Sequence, residues 1–260
     1  MAGATQSASG RTGWVLLLTS VLLLGVAAMA VTANTWKHDF RVLRVRTQGS
    51  RIVPDSDIVR MAAIPMNARL FDVDLNSARL RVQQNPFFRS VSVAREIPDG
   101  LAITVTERTP VAALITGRVL CLDGEGYVLG PIRPGRLIDL PVMTGEFSPA
   151  DCIPGQQVRS RRLREALEIL TTAQRIGDDL YRMISEVHCE PDSTFVLFTA
   201  ESGVPVAFGR GDAAVKLVKF DGFWKQIVTA RGAAQLKTVD LRFAGQVVVR
   251  WEGEHAGEAQ

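Results

Sequence analysis

The stretch FRSVSVAREIPDGLAITVTE, residues 88–107, decides how this chain of 260 residues is read. Val91 and Val93 flank Ser92, and Leu101, Ile103 and Val105 recur at every second position. A period of two sends successive side chains to opposite faces, so 88–95 and 101–107 are two strands with one buried and one wet face. The link Ile97-Pro98-Asp99-Gly100 is a turn, in which proline fixes φ and glycine accepts φ > 0.

Working back from this hairpin, Asp74 is a good N-cap for a helix whose Leu75, Ala78 and Val82 fall at helical spacing before Pro86 stops the pattern. Pro54-Asp55-Ser56-Asp57 opens a shorter helix with Ile58, Val59 and Met61. Residues 40–47 read as a strand in which Leu43 and Val45 alternate with Arg44 and Arg46. The order strand, helix, helix, strand, strand describes a small α+β layer.

Earlier still lies WVLLLTSVLLLGVAAMAV, residues 14–31, without a charge. A helix of about eighteen residues covers roughly 27 Å at 1.5 Å per residue, close to the hydrocarbon thickness of a bilayer. Trp14 and Trp36 stand near its ends, where aromatic rings favour the headgroup zone. A cleavable signal peptide is the rival reading, since Ala28-Met29-Ala30 has the form of a cleavage site and Arg11 precedes the run. The run exceeds the usual 7–15 residues of a signal core, which favours an uncleaved membrane helix over 14–36, and the large domain that follows it argues for a short cytoplasmic tail at 1–13.

After Pro110, residues 111–115 and 119–122 read as strands, and Asp123-Gly124-Glu125-Gly126 as a plain turn rather than a calcium loop, too few oxygen ligands following. A helix runs over about 159–176, with Leu163, Leu167, Leu170 and Ala173 on one face and Arg159, Arg161, Arg162, Arg164 and Arg175 on or near the other. Strands recur at 183–189, 194–199 and 204–208. Asp212 caps a helix carrying Leu217, Phe220, Trp224 and Ile227, and strands at 238–243 and 246–251 close the fold. The end, 253–260, is a mobile tail.

Asn67-Ala68-Arg69-Leu70-Phe71-Asp72-Val73-Asp74, Asn85-Pro86-Phe87-Phe88, Arg95-Glu96-Ile97-Pro98-Asp99-Gly100-Leu101 and Glu107-Arg108-Thr109-Pro110-Val111-Ala112 are similar to the POTRA domain of the FtsQ/DivIB family of bacterial division proteins. Leu122-Asp123-Gly124-Glu125-Gly126-Tyr127-Val128, Leu140-Pro141-Val142-Met143-Thr144-Gly145, Lys216-Leu217 and Val239-Asp240-Leu241-Arg242-Phe243 are similar to its following β domain. The resemblance implies an α+β chain: a single N-terminal transmembrane helix, a POTRA domain (β-α-α-β-β) over 39–109, and a mixed β domain with two helices over 110–252.

Residue chemistry gives no sign of catalysis. His38, His188 and His255 are isolated, and no Walker loop, G-x-S-x-G elbow or dinucleotide turn is present. Cys121, Cys152 and Cys189 lack C-x-x-C spacing, which argues against a disulfide framework or structural zinc. Thirty basic and 27 acidic residues leave a formal charge of +3, spread without a nucleic-acid patch. No enzyme, cofactor or metal is expected. The Arg-Gly-Asp triplet at 210–212 suggests adhesion by letter only.

What remains is surface for partners. A final strand at a sheet edge offers unpaired N–H and C=O groups to another chain. Val247, Val249 and Trp251 share one face and Val248 with Arg250 the other, so one set packs inward and one is available. The resemblance implies that this strand and an aromatic just before it bind FtsB in a complex with FtsL, which singles out Arg242, Phe243, Gln246, Val248, Arg250 and Trp251. It implies an inner-membrane protein with its C-terminal domains in the periplasm, at the septum, helping to control peptidoglycan synthesis. The alternatives are a POTRA-containing periplasmic or outer-membrane assembly factor, for which the barrel strands are lacking, or a periplasmic protein released after Ala30.

Overall fold

A computed structural model describes residues 9–131 and 139–253, without side chains at 9–13 and 31–39. Ser9–Asp39 forms one helix, α1. Its described side chains, residues 14–30, are all exposed. Among the described residues, no helix is long and apolar enough to cross a membrane. Residues 14–36 are thus helical within α1, but the expected membrane crossing is not supported by the structure and rests on the sequence alone. The expected tails at 1–13 and 253–260 fall largely outside the described residues.

The chain divides into two compact units. In the first, β1 (Arg44–Gln48), α2 (Asp55–Ala62), α3 (Leu75–Gln83), β2 (Phe88–Glu96) and β3 (Gly100–Glu107) follow in the expected order. The sheet order is β1-β3-β2, with β1 parallel to β3. Asp74 does cap α3: its carboxylate accepts from the backbone of Asn76 and Ser77 and from the Ser77 hydroxyl, at 3.0, 3.1 and 2.6 Å. Gly100 corrects an expectation, being absent from the positive-φ residues. A Cβ there would come within 3.2 Å of the Arg44 side chain, so close approach and not handedness is what the smallest residue relieves. Arg95 donates to the carbonyls of Leu70, Phe71 and Val73 at 3.0–3.1 Å. It ties the loop before α3 to β2, beside a core of Val42, Leu70, Val73 and Leu101.

The second unit is built on a nine-stranded sheet. Its strands are β4 (Pro110–Ile115), β5 (Val119–Asp123), β6 (Val128–Gly130), β7 (Val142–Gly145), β8 (Ile184–Cys189), β9 (Phe195–Thr199), β10 (Pro205–Gly209), β11 (Leu236–Asp240) and β12 (Val248–Trp251). They lie in the order β12-β11-β10-β9-β8-β7-β4-β5-β6. The expected helices are α4 (Arg161–Ile176) and α6 (Ala213–Phe223); α5 (Asp178–Met183), a π-helical segment (Trp224–Val228) and α7 (Thr229–Arg231) are additional. Leu163, Leu167, Leu170 and Ala173 of α4 and Leu217 and Phe220 of α6 share one core with Leu120, Met143, Leu197, Val206 and Val239 of the sheet. Burying one such side chain contributes about 1.5–3 kcal/mol. All three cysteines are buried and free.

The outer arginines of α4 serve the fold. Arg164 donates to the carbonyls of Val158 and Arg159, Arg162 to that of Glu146, and Arg161 pairs with Glu165. Arg210, of the Arg-Gly-Asp triplet, also binds Glu165 at 2.9 Å. Asp212 stands at φ 52° before α6 and makes no side-chain cap, which corrects the reading of it as a capping residue. Lys216 holds that loop instead, donating to the carbonyls of Phe208 and Arg210 at 2.9 and 2.7 Å.

Candidate functional site

β12 is the last strand at one end of the large sheet. It pairs antiparallel with β11, Leu236 facing Trp251, Val239 facing Val249 and Asp240 facing Val248. Among the described residues no strand lies on its other side. Its outward backbone groups are therefore those of a strand edge, the geometry that accepts a further strand.

The strand is shorter than the expected 246–251, and β11 ends at Asp240, before the expected 243. The six candidate residues consequently fall in three settings. Val248 and Arg250 are exposed on β12, on the side away from the core. Arg242, Phe243 and Gln246 are exposed in the connection before β12. Trp251 is 4 % exposed and belongs to the core, with the Arg231 guanidinium carbon 4.1 Å from its ring centre. Its side chain anchors the strand inward, since a period of two sets 251 on the same side as Val247 and Val249. Those two valines pack partly buried against that core.

Arg242 is held by Asp240, a residue to which sequence reading assigned no role. The carboxylate accepts from the Arg242 backbone N–H at 2.9 Å and from its guanidinium at 2.6–3.1 Å. The hydrogen bond from Arg242 holds the Asp240 carboxyl below its ordinary range, although burial opposes it. The same bond raises Arg242. Beneath it lies Gly209 at φ 70°, where a Cβ would meet the Arg242 Cγ at 3.0 Å. The result is a cation fixed at the mouth of the β11–β12 connection, next to Phe243, which is 50 % exposed. The signal available in sequence was the carboxylate two positions before the arginine.

These groups offer a backbone edge, a fixed guanidinium and an exposed ring. Among the described residues no group of three or more His, Cys, Asp or Glu side chains is placed to hold a metal ion.

A protein-family model described as "POTRA domain, FtsQ-type" matches residues 40–108. A second, described as "Cell division protein FtsQ/DivIB, C-terminal", matches residues 113–242. Similar proteins include Cell division protein FtsQ of Rhodothermus marinus, 34% identical over 90% of this chain and 87% of the relative. That of Myxococcus fulvus is 31% identical over 92% and 84%, and that of Geotalea daltonii 27% identical over 95% and 88%. With both halves matched in order, the chain belongs to the FtsQ/DivIB family of cell division proteins.

Proposed function

We propose that the chain is a non-enzymatic scaffold of the division septum, anchored in the inner membrane by residues 14–36. Its short N-terminal tail is cytoplasmic and both compact units are periplasmic. It binds FtsB- and FtsL-like proteins and so helps to control septal peptidoglycan synthesis. The observation that carries the reading is β12 at the end of its sheet, paired on one side only among the described residues. Each hydrogen bond added there nets about 0.5–1.5 kcal/mol, so a short strand needs side-chain contacts as well. Arg242, Phe243, Gln246, Val248 and Arg250 are exposed beside that edge. Support for the anchor is the uncharged run at 14–31 within one helix.

Two measurements test the proposal. Carbonate extraction of membranes leaves an anchored chain in the pellet with residues 1–30 attached; a soluble product beginning near Val31 defeats the anchor. Co-purification with the FtsB-like protein of the same bacterium tests the scaffold: Val248→Asp abolishes it, and unchanged recovery means that another surface binds.

A further inference from the structure

The helical layer beside β12 has an apolar flank where a solvent-facing helix is ordinarily polar. Ile227, in the π-helical segment, is 45 % exposed. Phe223, four residues before it, is partly buried against the core. Arg231, four residues after it, lies over the ring of Trp251. Since Trp251 ends β12, this side of the helix is the one that meets the outermost strand.

Residues four apart on a helix share a face, but four residues overshoot a turn of 3.6, so an α-helical stripe of that spacing drifts round the axis. The π segment reverses the drift. Its wider i→i+5 winding is seen where the Thr229 N–H bonds the Trp224 carbonyl. Across that widened turn Phe223, Ile227 and Arg231 keep to one flank of the helix, and Arg231 is the one whose contact with the outermost strand is seen.

A strand added to β12 continues its pleat. Alternate residues fall in the row of Val247, Val249 and Trp251, and the others in the row of Val248 and Arg250. The first row is unfinished, because Val247 and Val249 are only partly buried and no further strand covers them among the described residues. Resting on the reading of β12 as the strand-binding edge, we infer that Phe223, Ile227 and Arg231 form the side wall of that edge. The wall selects an amphipathic partner strand that sets a large apolar side chain against Ile227 and keeps polar residues on the row beside Val248 and Arg250.

The test uses the full chain in cells, with photoreactive p-benzoylphenylalanine placed at position 227 or at position 248, and mass spectrometry of the adducts. Both positions should capture one partner segment. The residue reached from 227 should be apolar and should lie an odd number of positions from the residue reached from 248, since the two probes address opposite faces of one strand. Ile227→Ser should weaken the purified complex roughly five- to tenfold with the melting temperature unchanged. An adduct from 248 without one from 227, or adducts an even number of positions apart, removes the wall and leaves the edge standing. An adduct from 227 alone contradicts the strand geometry. No adduct from either position defeats the edge reading itself.

Discussion

Arg108 donates to the Asp123 carboxylate at 2.6 Å, with their side chains only 12 % and 6 % exposed. The other carboxylate oxygen accepts from the backbone N–H groups of Glu125 and Tyr127 at 3.0 and 2.8 Å. The guanidinium carbon of Arg108 also sits 3.7 Å from the centre of the Tyr127 ring. One buried pair thus joins the start of β4 to the β5–β6 turn. Burial pulls the guanidinium down, and hydrogen bonds to Asp123 and Glu125 overcome it, leaving Arg108 above its ordinary value.

Removing Asp123 leaves Arg108 with Glu125 alone and takes the acceptor from the Glu125 and Tyr127 N–H groups, a loss toward the lower end of the range of about 3–5 kcal/mol for breaking a buried pair. Asp123→Ala should therefore lower the stability of the second unit by that order, measured by denaturant unfolding. A double change, Arg108→Met with Asp123→Leu, should cost less than the two single changes added together.

Two substitutions on one strand should separate stability from binding. Trp251→Ala empties a buried site and should cost about 3–5 kcal/mol. Val248→Asp, on the exposed side, should alter stability by no more than about 0.5 kcal/mol while releasing the partner. Thermal melts beside pull-downs of the same two variants check this, and a melting temperature unchanged in Trp251→Ala would contradict the packing described.

The Asp240 carboxyl lies below its unfolded value of about 3.9 through its bond to Arg242. A depressed carboxyl contributes stability above the unfolded value and loses it as pH falls through the folded one. Arg242→Ala should raise the Asp240 midpoint, read by NMR titration, and move acid unfolding to higher pH.

Burial pushes the Cys121 thiol up to about 11, and burial likewise raises Cys152 and Cys189. At pH 8 the folded chain should resist iodoacetamide and react fully once unfolded. Rapid alkylation of the native protein would show one of these thiols to be accessible.

Much of this fold was legible because its elements are half-buried, so their periodicity is written in the residues. The alternation across 88–107 and the stripe of α4 both match the structure. The π segment leaves no such mark, since one widened turn scarcely disturbs the spacing of Phe220, Trp224 and Val228. β7 was missed for a related reason: it is four residues long, lies between β4 and β8, and shows no clean alternation. α5 is six residues long with only Leu180 buried, too short for a stripe. At the candidate site the sequence identified the closing strand and its two alternating rows, and the structure shows that the row of Val247, Val249 and Trp251 is the inward one. Burial of Trp251 depends on what α7 lays over its ring, and that neighbour, Arg231, is twenty residues away in the chain.

Hydrogen exchange along β12 tests the central claim most directly. Amide exchange is followed at Val248–Trp251 in the full chain, alone and with the periplasmic part of the FtsB-like protein. Strand addition predicts that alternate amides, those directed away from β11, become strongly protected in the complex. Saturating complex formation with exchange at β12 unchanged would contradict it.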